Sequence, residues 1–181
     1  MIGRIVKVAM RGFLTKGDYR VMQRANNWPA PLWVRLWAMA ATKAGDGWLW
    51  CLVGLAVLLF GNQDRVPAVS AAGLAGASSV LLFMSMKRLT GRERPCTITP
   101  HCWATLLPPD HFSFPSGHTM TAFAVSVAFS LFYPALAAGL LFCAFSIAIS
   151  RILLGMHFLT DVIAAMLLGA ALGWCGYWVF Q

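Results

Sequence analysis

His157 and Asp161 stand four residues apart, a spacing that puts both side chains on one face of a helix. There a carboxylate can hold one imidazole nitrogen and leave the other free and basic. That is the orienting logic of a catalytic triad applied to a histidine nucleophile; a plain structural His–Asp bond would use the same spacing. Pro115-Ser116-Gly117-His118 reads as a helix start. A helix N-terminus presents free N–H groups and a partial positive charge, Gly117 lets an anion approach closely, and Ser116 adds a hydroxyl donor. The plainer alternative for Ser116 is an ordinary N-cap. His118 is then placed to give a proton to a leaving oxygen and later to take one from water. Lys87, Arg94 and Arg151 supply three cations. A phosphoryl group in transfer carries charge on three equatorial oxygens, and fixed cations stabilise it without a metal.

The elements that must position these residues are membrane helices. Of 181 residues, 59% are hydrophobic and only 11% are charged, and the mean hydropathy is +0.69. Soluble domains carry about 45–50% apolar and about 25% charged residues, so disorder, a coiled coil and an ordinary cytosolic enzyme are excluded. Apolar runs at roughly 48–61, 66–86, 118–133, 134–150 and 158–180 give an all-α, polytopic membrane bundle with five spans, or six if 28–45 also crosses. Several runs fall short of the ~20 residues of a full span, so their polar ends are expected to sit slightly sunk in the membrane. If the helices alternate in direction, Lys87 and Arg94, Ser116 to His118, Arg151, and His157 with Asp161 all reach the same face. Snorkelling anchors explain a lone Lys87 or Arg88, but not an aspartate and two histidines converging there.

Two regions follow: 1–45 as amphipathic surface helices and 46–181 as the membrane core. Ile2, Ile5, Val6, Ala9, Met10 and Phe13 recur at helical spacing opposite Arg4, Lys7 and Arg11, which suits a helix lying among lipid headgroups. Lys16-Gly17-Asp18 is expected to break that helix, 18–27 to be helical again, and 31–43 to form a second surface helix with interfacial Trp33 and Trp37. The net charge is +8, with eight basic residues and one acid in 1–45. Because those basic residues alternate with apolar ones, anionic lipid is the expected partner and nucleic acid is not. No cleavable signal peptide is visible.

Lys87-x6-Arg94-Pro95, Pro115-Ser116-Gly117-His118 and Ser150-Arg151-x5-His157-x3-Asp161 together resemble the three signatures of the type-2 phosphatidic acid phosphatases, complete and in order. The helical pattern extends the resemblance to about 46–181. Asn26 and the Thr42…Gly45-Asp46-Gly47 stretch are also similar to the region before the core in bacterial members. The resemblance implies a metal-free, cofactor-free phosphatase acting on a membrane lipid phosphate: phosphatidic acid, phosphatidylglycerol phosphate or a polyprenyl diphosphate. It implies His157 as the nucleophile, Asp161 as its orienting group, and His118 as general acid and then base. Lys87, Arg94, Arg151, Ser116 and Gly117 would bind the phosphoryl oxygens. Arg88 and Arg92 are not signature positions and are expected at headgroups or the membrane surface. A phosphotransferase passing the group to a lipid or sugar would use the same residues, whereas a non-catalytic scaffold would not need His118, His157 and Asp161.

Five spans would leave 13 basic residues on the site's side and only Arg65 opposite, which by the positive-inside rule places the site in the cytoplasm. The family habit in the bacterial cytoplasmic membrane is an extracytoplasmic site, and that is the expectation adopted. Cys96 and Cys102 share the 87–117 loop and could pair in an oxidising compartment; the spacing around them does not support a zinc site with His101 and His111. Oligomeric state leaves no signal in the chain.

Overall fold

The computed structural model describes residues 15–104 and 110–181. The stripe proposed for 2–14 lies outside them. Apart from an isolated bridge between Glu93 and Phe112, the regular structure of the described residues is helical: α1 Lys16–Asn27, α2 Leu32–Ala44, α3 Trp48–Phe60, α4 Arg65–Thr90, the short α5 Pro95–Ile98, α6 Gly117–Phe132, α7 Ala137–Leu153 after a 3-10 turn Pro134–Leu136, and α8 Leu159–Phe180. Arg65–Thr90, Pro134–Leu153 and Leu159–Phe180 are each long and apolar enough to cross a membrane. Leu32–Ala44 and Trp48–Phe60 meet that standard only together, across a 63° bend, and Gly117–Phe132 is apolar but shorter.

The short helix α6 can be short because it is the centre of the bundle, packed against α4, α7 and α8. Its contact faces are built from small residues: Ala122, Ala124 and Ala128 are fully buried, as are Ala68 and Ala71 on α4 and Ala165 on α8. Small side chains let helix backbones approach closely where lipid offers no hydrophobic push. Glycine takes this furthest. A Cβ at Gly169 would strike the Met120 carbonyl, and one at Gly173 the Ala124 carbonyl. Large apolar side chains such as Leu59, Phe60, Leu167 and Trp178 point outward instead, as a lipid-facing surface requires.

Residues 15–44 do not float beside this core. Helix α1 begins at a capping box, with the Asp18 amide donating to the Thr15 hydroxyl (3.1 Å) and the Thr15 amide to the Asp18 carboxylate (3.4 Å). Lys16-Gly17-Asp18 forms the first turn of α1, and the helix that this stretch is expected to end lies outside the described residues; a glycine followed by an acid is tolerated at a helix start, and the acid there complements the dipole. Helix α1 packs on α7 and α8, and α2 on α7. The loop after α5 is tied to the same end of α7, where His101 Nε2 donates to the Leu153 carbonyl (2.8 Å) and His101 Nδ1 accepts the Ala104 amide (3.1 Å). Both ring nitrogens are thus engaged in backbone contacts.

Candidate active site

The four polar groups do converge. Lys87 ends α4, His118 starts α6, Arg151 closes α7, and His157 and Asp161 stand at the start of α8. Two loops draw them together. The turn between α7 and α8 carries Gly155 at φ +65°, with Asn26 Oδ1 only 2.8 Å from where a Cβ would stand, so a side chain there would be both strained and obstructed. The segment after α4 is held by the Ser113 amide, which donates to the Arg92 carbonyl (2.8 Å).

His157 is buried, and its two nitrogens have distinct partners. Nδ1 lies 2.6 Å from the Ser113 carbonyl oxygen, and Nε2 lies 3.2 Å from Arg94 Nη1. A carbonyl only accepts and a guanidinium only donates. The proton is therefore on Nδ1, and Nε2 presents a lone pair toward the cations. Burial first, then Arg151, Arg94 and Lys87, hold the His157 pKa well below the ordinary histidine value, so the imidazole is neutral near pH 7.

Asp161 differs from the expected arrangement. Its Oδ2 is 3.7 Å from His157 Nδ1, beyond a hydrogen bond, because the Ser113 carbonyl has taken the Nδ1 proton. Asp161 instead accepts the Phe158 amide (2.8 Å) and Arg92 Nη1 (2.6 Å). Arg92 is accordingly not at the membrane surface. It is buried, pairs with Asp161 and with Asp18 (3.0 Å), and stacks on Phe158 with its guanidinium carbon 4.5 Å from the ring centre. The surface assignment failed because its partners lie 69 and 74 residues away in sequence.

The cations are only partly free. Lys87 Nζ contacts Asp110 at 2.7 Å, and Arg94 Nη2 contacts the same carboxylate at 2.9 Å while Nη1 donates to the Met156 carbonyl. Burial alone would raise the Asp110 pKa, but its hydrogen bonds with Lys87 and Arg94 outweigh that and hold it below the usual value. Arg151 donates from Nη1 to the Thr42 hydroxyl on α2, and its buried Nε has no partner among the described residues. The Ser116 hydroxyl meets Thr119 at 3.0 Å. At Gly117, a Cβ would stand tightly against the Phe83 ring, 3.1 Å away, so a side chain there would press on that ring. His118 Nε2 is 2.8 Å from Asp46 Oδ1, in the turn between α2 and α3. Among the described residues no cluster of His, Cys, Asp or Glu has the makings of a metal site. The five cysteines are free, with Cys102 Sγ donating to the Trp28 carbonyl.

Sequence reasoning missed Asp18, Asp110 and Ser113 as site residues, singled out Thr42 and Asp46 only as part of a stretch similar to bacterial members, and placed Arg92 elsewhere. The available signals were slight: Asp18 is the one acid among the basic residues of 1–45, and Asp46 stands between two glycines, a turn-forming pattern.

Comparison with known proteins fits this geometry. The profile of the PAP2 superfamily matches residues 66–181, and the chain belongs to that superfamily. A lipid A 1-phosphatase of Rhizobium johnstonii is 34% identical over 96 residues, 51% of this chain and 39% of that protein. The undecaprenyl-diphosphatase BcrC of Bacillus subtilis is 30% identical over 130 residues, 68% of this chain and 64% of the relative. The chain thus spans less than two thirds of the length of either. The crystal structure of Aquifex aeolicus LpxE superposes with a TM-score of 0.73 at 28% identity, covering 87% of this chain and 93% of that one. That of a transmembrane PAP2 type phosphatidylglycerolphosphate phosphatase from Bacillus subtilis gives 0.72 at 23% identity over 98% of this chain and 93% of that one, a likeness of fold.

Proposed function

We propose that the protein is a multi-pass lipid phosphatase of the bacterial cytoplasmic membrane, hydrolysing a phosphomonoester or diphosphate of a membrane lipid through a phosphohistidine at His157. One observation carries the reading: a buried neutral imidazole whose Nε2 lone pair faces Arg94, within the field of Lys87 and Arg151. A neutral nucleophile surrounded by cations suits an anionic electrophile. The phosphoryl group takes the place of the Asp110 carboxylate on Lys87 and Arg94, because phosphate oxygens and a carboxylate compete for the same donors. Arg151 Nε offers a further N–H. Nε2 attacks phosphorus, the P–O bond to the lipid breaks, and His118 gives its proton to the leaving oxygen. His118 then takes a proton from water, which attacks phosphorus and frees phosphate and His157. This sequence draws its charge stabilisation from side chains, so turnover should survive EDTA and be blocked by vanadate.

The relatives' names support the substrate class: lipid A and undecaprenyl diphosphate are both phosphorylated membrane lipids. An apolar groove of about 450 Å³ between α3, α4 and α6 has room for part of a lipid chain. The active site lies on the extracytoplasmic face in this reading. A single cysteine at position 96 should then react with an impermeant label in intact cells, while one introduced at 181 should react only after lysis; the reverse pattern would place the site in the cytoplasm. The activity itself is tested by phosphate release from purified protein on a panel of lipid phosphates, with His157→Ala as the blank. Release by the wild type alone is expected. Appearance of a phosphorylated acceptor without free phosphate would make the protein a phosphotransferase.

A further inference from the structure

Asp18 belongs to α1, in the part of the chain before the matched residues 66–181, yet it is completely buried at the start of α8. Its Oδ1 accepts the Thr160 amide (2.9 Å), and its Oδ2 accepts both the Thr160 hydroxyl (2.8 Å) and Arg92 Nη2 (3.0 Å). The same guanidinium donates from Nη1 to Asp161 Oδ1 (2.6 Å) and to the Thr160 hydroxyl oxygen (2.9 Å). One buried cation is thus shared by two buried carboxylates, and Thr160, which precedes Asp161, is clamped on its amide and its hydroxyl.

The charge balance gives this sharing a purpose. When Nε2 of His157 forms its bond to phosphorus, the P–O electron pair leaves with the lipid oxygen and the Nδ1 proton stays on the ring. The imidazole then carries a formal positive charge, while Lys87, Arg94 and Arg151 already stand nearby. Arg92 paired with Asp161 alone would cancel the one carboxylate that lies 3.7 Å from Nδ1. With Asp18 added, the trio is net negative and Asp161 retains charge to set against the ring. A buried charged pair holds one geometry better the more of its donors are satisfied; Asp18 satisfies Nη2, while Arg92 Nε has no partner among the described residues.

We propose that Asp18 is a positioning residue for phosphoryl transfer: acting through Arg92 and Thr160, it fixes Asp161 beside His157 and keeps the Asp18–Arg92–Asp161 trio net negative. The proposal rests on the phosphatase reading above. The test is a double-mutant cycle in purified full-length protein, reading kcat, KM and vanadate affinity with ³²P-labelled lipid phosphate. Asp18→Asn should lower kcat by about 10- to 100-fold, with KM and vanadate affinity changed by less than about threefold, since the phosphate cradle is untouched. In an Asp161→Asn background the same change should cost less than about threefold, because residues acting as one unit are not additive. Thr160→Val, which removes only the hydroxyl link, serves where Asp18→Asn does not fold; its smaller loss should vanish in the same background. Losses that multiply in the double variant, or wild-type turnover in Asp18→Asn, would overturn the role of Asp18 while leaving the phosphatase reading intact. A wild type silent on every substrate would overturn both.

Discussion

Asp46→Asn isolates the second histidine. His118 Nε2 donates to Asp46 Oδ1 at 2.8 Å, and a carboxylate there favours the protonated ring that a general acid needs, with Nδ1 left for the substrate. The buried carboxylate–histidine pair of serine proteases is worth about 10⁴ in rate. Asp46 is different, because its side chain is 61% exposed against 23% for His118. A hydrogen bond to a charged group contributes about 1.5–3 kcal/mol, and exposure pulls it toward the lower end. At about 1.4 kcal/mol per factor of ten, Asp46→Asn should reduce kcat/KM for a lipid phosphate by about 10-fold and by no more than about 100-fold. The loss on p-nitrophenyl phosphate should be under about threefold, because a nitrophenolate leaves without being protonated. The assay is initial-rate phosphate release in detergent micelles. Using kcat/KM confines the comparison to steps up to the first irreversible one, so slow hydrolysis of the intermediate does not blur it. Equal losses on the two substrates would refute the acid role of His118, and no loss on either would refute the part given to Asp46.

Arg94→Lys should cut kcat/KM by roughly 10²-fold although the charge is kept, since an ammonium cannot span Asp110, the Met156 carbonyl and His157 Nε2 as the guanidinium does; near-wild-type rates would show that charge alone suffices. The native state holds His157 neutral, so below about pH 6.5 the unfolded chain binds a proton that the folded chain refuses. The stability this provides is present above that pH and declines below it. Melting temperature should therefore fall less steeply from about pH 7 to pH 5 in His157→Gln than in the wild type, and parallel curves would contradict the assignment. Gly173→Leu should lower the melting temperature in detergent, because its side chain meets the Ala124 carbonyl and Val127; overpacking costs about 1–3 kcal/mol or more, and an unchanged midpoint would mean that α6 and α8 do not pack this closely.

The helical bundle and its signature residues were legible because their signals are local. Apolar runs end in charges, and His157 and Asp161 share a face through spacing alone. What stayed hidden depends on tertiary approach. Asp18 meets Thr160 across 142 residues, Arg151 meets Thr42 across 109, and Asp46 meets His118 across 72. No periodicity encodes such pairs. Arg92 is expected at headgroups or the membrane surface because it is not a signature position; two buried carboxylates hold it inside instead. The spacing of His157 and Asp161 likewise suggested a direct bond, but a backbone carbonyl outside the helix, that of Ser113, competes for the same proton. Helix α1 starts at Lys16-Gly17-Asp18 because Thr15 caps it, two residues before the helical stretch expected over 18–27.

The central claim is that His157 carries the phosphoryl group. Purified protein mixed with a ³²P-labelled lipid phosphate and quenched in alkali within the first turnover, where a phosphoramidate bond survives, should hold label on the peptide containing His157. The label should disappear on longer incubation as phosphate is released, and His157→Ala should never acquire it. Phosphate release with no labelled protein at any time, or label retained in His157→Ala, would contradict the account.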